Sequence, residues 1–217
     1  NGIAMVHQEL NQCLERSVID NLFLGRYPVN SMGVVDEGQM KKKAADLFRK
    51  LGMTVNLTQP MRNMSVSQRQ MVEIAKAVSY NAKVIVFDEP TSSLTEQEVE
   101  HLFRIINMLR AEGCGIIYIS HKMEEILRIS DEVTIMRDGT YVGTWAIEDI
   151  SDEEIVKQMV GRELNNVYPP KDDYRTDETV LKVSHLTSIL PNSFKDCSFE
   201  LKRGEILGFG GLVGAQR

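Results

Sequence analysis

Neither Gly-Lys-Ser nor Gly-Lys-Thr, the usual close of a phosphate-binding loop, occurs anywhere in these 217 residues. Cysteine is scarce. Cys13, Cys114 and Cys197 are scattered, odd in number and without ligand spacing, which argues against a disulfide framework or a cysteine metal site and suits reduced thiols. No apolar stretch approaches the roughly 20 residues needed to span a bilayer, and no signal-peptide pattern opens the sequence, so a membrane role would run through a partner. Positive charge is in deficit, with 25 Lys and Arg against 31 Asp and Glu. The resulting net charge of −6 argues against nucleic acid, whose phosphates need a basic face. The one cationic run, Lys41-Lys42-Lys43, lies opposite Ala44, Leu47, Phe48 and Leu51 in a predicted helix and reads as its solvated face. Low-complexity segments and short repeats are also missing, and the hydrophobic fraction of 42% is ordinary for a globular protein.

What is present centres on Val84–Glu89. Val84-Ile85-Val86-Phe87 reads as a buried strand of a parallel sheet, and two carboxylates, Asp88 and Glu89, follow at its carboxyl end before Pro90. Ligands of open α/β sheets sit in the crevice beyond the strand ends. An acidic pair there suits one carboxylate on Mg²⁺ and one beside an attacking water. These six residues alone also allow a strand that ends at a solvated turn. Further pieces share the arrangement. Ile3–His7 reads as a strand running into Gln8, and Cys114–Ser120 as a strand running into His121. Met64–Gln68 opens a helix whose Met71, Ile74, Ala75 and Val78 keep helical spacing.

The order glutamine loop, signature helix, acidic strand end, Thr95 loop and histidine loop resembles the ATP-binding cassette (ABC) ATPases. Val6–Leu10, Gln70–Ala77, Asp88–Thr95, Ile119–Met123 and Met136–Gly139 narrow the resemblance to monosaccharide importers. Those carry two fused cassettes per chain and take up ribose, xylose, galactose or methyl galactoside; the phrasing here is nearest to the galactose and methyl-galactoside members. The resemblance implies an α/β, P-loop NTPase-type cassette with a mainly parallel core sheet and a helical signature subdomain, followed by the start of a second cassette. It implies ATP and Mg²⁺ as cofactors and a peripheral place at the cytoplasmic face of the inner membrane. The partners would be transmembrane permease subunits, working with a periplasmic or extracellular sugar-binding protein.

Residue by residue, the resemblance makes Asp88 the Mg²⁺ ligand, Glu89 the group that polarises water, and His121 the contact to the γ-phosphate. Gln8 would offer its amide oxygen to Mg²⁺ or water and report nucleotide state to the permease. Ser65, Val66, Ser67 and Gln68 would meet a phosphate at a helix N-terminus. Val66 and Ser67 replace the usual glycine pair, which alters the backbone approach. Thr95 stands where an aspartate is usual, so the cross-domain hydrogen bond of that loop is in doubt. Gly210–Arg217 is similar to a phosphate loop, with Gly211 and Gly214 in place, Gln216 for glycine and Arg217 for lysine. Arginine keeps the charge but not the compact ammonium, so that second site is expected to turn over nucleotide poorly.

The boundaries expected are 1–164 for a first cassette without its N-terminal phosphate-loop part, 165–179 for a linker containing Pro169-Pro170, and 180–217 for the beginning of a second cassette. On that reading the chain is an internal fragment that binds ATP weakly, with an exposed sheet edge that invites association. The expected local elements include helices from Ser17, from Gln39 to Leu51 and after the capping boxes Thr95–Glu98 and Ser151–Glu154. Asp138-Gly139 joins Val133–Met136 to Tyr141–Trp145 in a hairpin. Val180–Val183, Cys197–Leu201 and Gly204–Phe209 read as strands. His7, His101 and His185 read as surface or packing residues. Rival classes fit less well. A ribosome-associated cassette would need a long basic linker, and a chromosome-maintenance cassette would need long heptads between Gln8 and Ser65. A non-catalytic interaction piece is the remaining alternative.

Overall fold

The computed structural model describes residues 2–161, 174–189 and 193–211. The chain divides into two compact units, Asn1–Gly161 and Arg162–Arg217. The first is built on three parallel strands, β1 (Ile3–Val6), β2 (Val84–Asp88) and β3 (Gly115–Ile119), in the order β1-β2-β3. Val6 pairs with Phe87, and Phe87 with Tyr118, so all three strands deliver their carboxyl ends to one edge of the sheet. Helices α1 (Val18–Phe23), α2 (Glu37–Lys50), α3 (Val66–Val78) and α4 (Glu96–Ala111) supply the rest of the main core. Each carries apolar residues at helical spacing; in α4, Leu102, Phe103, Ile106 and Leu109 are all buried.

The helix starts are set by side-chain caps. Ser17 accepts from the Asp20 N–H, and Thr95 and Glu98 form a reciprocal capping box. Helix α2 begins two residues before the expected Gln39, because Asp36 caps it by accepting from the Gln39 N–H. A second, smaller core joins α5 (Met123–Ile129), the antiparallel pair β4 (Glu132–Arg137) and β5 (Thr140–Ala146), and α6 (Asp152–Val160) through Ile126, Val133, Ile135, Ile150 and Ile155. Asp138 and Gly139 both take positive φ, 50° and 75°, as a tight two-residue hairpin turn requires. The box at Ser151 is only half formed. Ser151 accepts from the Glu154 N–H, while the Glu154 carboxylate accepts from Gln158 instead of reaching back.

Strand β3 has a partner on one side only, and Ile117 and Ile119 are exposed along it. A cleft of about 1170 Å³ lies between β3 and β4, lined by both strands. This is the exposed edge expected from the sequence.

In the second unit β6 (Thr179–Leu186) and β7 (Cys197–Lys202) form an antiparallel pair. The strand expected at Gly204–Phe209 is not formed. A strand needs a neighbour for its N–H and C=O groups, and no described residue pairs with this segment, which leaves Ile206 fully open to solvent. Most of the linker expected at 165–179 lies outside the described residues.

Candidate functional site

At the carboxyl edge of the sheet, β2 ends on Asp88 and the chain turns sharply at Glu89. Glu89 has φ of 46°, in the left-handed region that a non-glycine residue occupies at a cost on the order of 1–3 kcal/mol. The Glu89 N–H donates to the Ile119 carbonyl at 3.0 Å, which ties this turn to the end of β3. The strain aims the Glu89 side chain at the end of β3. There His121 Nδ1 lies 2.8 Å from Glu89 Oε1. An ionised carboxylate can only accept, so this contact assigns the donating N–H to His121 Nδ1. His121 is largely exposed, with 72% side-chain accessibility against 14% for Glu89.

The second Glu89 oxygen is the telling atom. Oε2 is buried and has no hydrogen-bond partner. Buried carboxylate oxygens without partners are costly and rare, and in native proteins each one calls for a functional or solvent explanation. The half-buried Asp88 carboxylate beside it is also unpaired among the described residues. Two adjacent carboxylates with open oxygens suit a hard cation and a water, both of which are oxygen-seeking. Among the described residues no cluster of three or more His, Cys, Asp or Glu forms a metal cage. An Mg²⁺ at this edge would therefore take much of its coordination from ligand and water oxygens.

Gln8 follows β1 at the same edge of the sheet as Asp88 and Glu89 and is exposed. Ser65 to Gln68 form a separate feature. Ser65 caps α3 in a full capping box, accepting from the Gln68 N–H at 3.2 Å while its own N–H donates to Gln68 Oε1 at 3.0 Å. Ser65 Oγ also lies 3.1 Å from Ser67 Oγ, and Val66 is exposed. No hydrogen bond joins this group to Glu89 or His121 among the described residues. Thr95 is engaged in its own cap, with its hydroxyl on Glu98 Oε2 at 2.9 Å. In the second unit Gly211 is exposed, and Gly214 and Arg217 lie outside the described residues. His101 is held against the Leu51 carbonyl, a packing role.

Sequence reasoning missed a buried polar network directly behind this edge. Glu125 is 8% exposed, and Thr91 only 1%. Glu125 Oε2 accepts from Thr91 Oγ1 at 2.9 Å and from the Tyr118 hydroxyl at 2.7 Å, and Oε1 pairs with Lys122 Nζ at 3.0 Å. Burial, reinforced by the Glu125 carboxylate, pushes the Tyr118 hydroxyl far above the usual tyrosine range, so the phenol stays a donor. One signal was available. Glu125 stands four residues before Ile129, on the same buried face of α5.

The sequence profile described as ABC transporter matches residues 1–92. Along all 217 residues the chain is similar to curated proteins called galactose/methyl galactoside import ATP-binding protein. That of Clostridium tetani is 57% identical and that of Salmonella typhimurium 52%, each matched over 100% of this chain. The chain spans only 44% and 42% of those two relatives. Among solved structures it resembles an ATP-binding cassette of an ABC transporter in its ADP conformation, with a TM-score of 0.59 at 24% identity, covering 74% of this chain and 69% of that one. A dimeric cassette in a post-hydrolysis state bound to ADP and phosphate gives a TM-score of 0.59 at 18% identity, covering 68% and 63%. At these identities the structural likeness speaks to the fold, which is that of an ABC cassette.

Proposed function

We propose, from the likeness to ABC transporter ATP-binding proteins along the whole chain, that it belongs to that family and that its sheet edge hydrolyses ATP to power import of a monosaccharide. The observation that carries the reading is Glu89: one oxygen held by His121 at 2.8 Å, the other buried and open. A carboxylate so placed orients and polarises a water, and phosphoryl transfer asks for little more than positioning and charge neutralisation. His121 fixes the Glu89 rotamer through Nδ1 and offers Nε2 to the γ-phosphate. Asp88 would hold Mg²⁺, which would supply charge neutralisation for the phosphate. Gln8, on the neighbouring strand end, supplies a polar oxygen to the same edge and carries its state toward a permease.

Ser65, Val66, Ser67 and Gln68 serve to meet a nucleotide phosphate, and Gly211, Gly214 and Arg217 belong to a segment with the sequence of a phosphate loop. Free N–H groups at the start of α3 and the helix dipole favour a phosphate there. The division into a first cassette at 1–164, a linker at 165–179 and the start of a second cassette at 180–217 belongs to the same reading. The partners are transmembrane permease subunits and an external sugar-binding protein, with the ATPase peripheral at the cytoplasmic face of the membrane. The relatives' names favour galactose and methyl galactoside as cargo, ahead of ribose or xylose.

The test uses a polypeptide of the relatives' full length carrying this sequence. Glu89→Gln lowers steady-state phosphate release by about 10²–10⁴-fold while Mg-ATP binding persists. Hydrolysis near the wild-type rate would remove Glu89 from this role. Uptake of radiolabelled galactose, ribose and xylose into vesicles holding the assembled transporter decides the cargo.

A further inference from the structure

Resting on the ATPase reading, we propose that Glu125 is a positioning residue that sets the Glu89–His121 contact without touching nucleotide. Residues from the segments that carry both catalytic side chains converge on its carboxylate. Thr91, two residues after Glu89, donates to Glu125 Oε2 at 2.9 Å. Ser120 and Lys122 flank His121, with Ser120 Oγ 3.4 Å from Oε2 and Lys122 Nζ 3.0 Å from Oε1. Tyr118, near the end of β3, donates to Oε2 at 2.7 Å. Lys122 Nζ closes the ring on Thr91 Oγ1 at 3.1 Å, and the Lys122 N–H donates to Ser120 Oγ at 3.1 Å.

Burying a carboxylate is costly, and apolar packing of equal volume often serves stability as well or better. A buried carboxylate does something apolar packing cannot. It fixes direction, because each donor must point at one of two oxygens. Here the donors come from the chain after Glu89 and from both sides of His121. The distance between those two segments is therefore held by one group 8% exposed to solvent. Glu125 lies behind the reacting edge and acts through Thr91, Ser120 and Lys122.

Two measurements test this, and they separate the failure of this proposal from failure of the ATPase reading. The first needs no nucleotide. In the 217-residue chain, nuclear Overhauser contacts between the His121 ring and the Glu89 side chain are expected in the wild type. They should be lost in Glu125→Gln, where an amide replaces one acceptor, while the methyl signals of Leu102 and Ile106 stay put. If Glu125→Gln disturbs those methyl signals, Lys122→Met is read in its place and is expected to weaken the same contacts. Contacts that survive in the variant read would overturn the proposal. The second measurement is made in the full-length polypeptide. Glu125→Gln should lower kcat per bound ATP by about tenfold or more with KM for Mg-ATP within about threefold, as expected when a transition-state interaction is lost. A kcat unchanged within about twofold, beside an active wild type, also overturns it. A wild type that neither binds nor hydrolyses ATP would sink the ATPase reading, and the Overhauser contacts then decide the positioning role alone.

Discussion

The two units of this chain differ in what they withhold from water. In the first, Val6, Leu22, Phe87, Leu102 and Ile106 are at or below 1% exposure. In the second, none of the described residues is buried. Its two strands are joined by their backbone ladder and by surface ion pairs, Lys182 with Glu200 and Arg203 with Glu178. Such exposed pairs add little to stability, and a two-stranded sheet without a covering layer is marginal. The difference teaches where chemistry can be placed. A positive φ at Glu89, an open buried oxygen and a buried Glu125 are all costly, and they persist only beside a packed core that over-determines them.

The comparison breaks most sharply at aromatic residues. Phe87→Ala should destabilise the first unit by about 3–5 kcal/mol, because the ring is fully buried between helices and sheet. Phe199, which is half-buried and whose ring meets Phe209 edge-on at 5.0 Å, should lose no more than about 1.5 kcal/mol on truncation. Chemical unfolding monitored by circular dichroism reads the first change. Amide exchange across Thr179–Leu186 reads the second. Equal losses at the two positions would erase the distinction.

A smaller effect is expected at a helix start. Thr95→Ala removes one half of the α4 capping box and should cost about 1 kcal/mol of first-unit stability. An unchanged denaturation midpoint would mean that the box is not formed in solution. The smallest effect sharpens the contrast through thiols. Partial burial raises the Cys114 thiol above the ordinary cysteine range, whereas Cys197 in the second unit is exposed. A raised thiol holds less thiolate at a given pH, so iodoacetamide should label Cys197 before Cys114. The Cys114 rate should keep climbing as the pH passes the ordinary cysteine range. The reverse order of labelling would contradict the burial assigned to Cys114.

Much of the first unit was legible because its signals are local. Val84-Ile85-Val86-Phe87 is a short apolar run closed by carboxylates, and it forms β2 as expected, at the sheet centre. Ser17 and Thr95 announced helix starts through cap chemistry that needs only three or four residues of context. Glu89 and His121 were both placed at strand ends around one crevice, and the two are in contact. What escaped was relational. Gly204–Phe209 has a strand's composition, but a strand exists only with a neighbour to pair with. Glu125 shares the face of α5 that carries Ile129, but its partners Tyr118 and Thr91 are brought in by β3 and the turn after β2, which local sequence does not show. The left-handed backbone of Glu89 has no sequence signal at all, since neighbours fix it through the Ile119 carbonyl.

The central claim is that Glu89 and His121 work as one unit on water. The measurement that meets it most directly is a double-mutant cycle on phosphate release in the full-length polypeptide, using Glu89→Gln, His121→Ala and the two combined. Groups that act together are strongly non-additive. The account predicts that the double variant hydrolyses ATP within about threefold of the slower single variant. Losses that multiply would show that the two side chains act separately, and would contradict it.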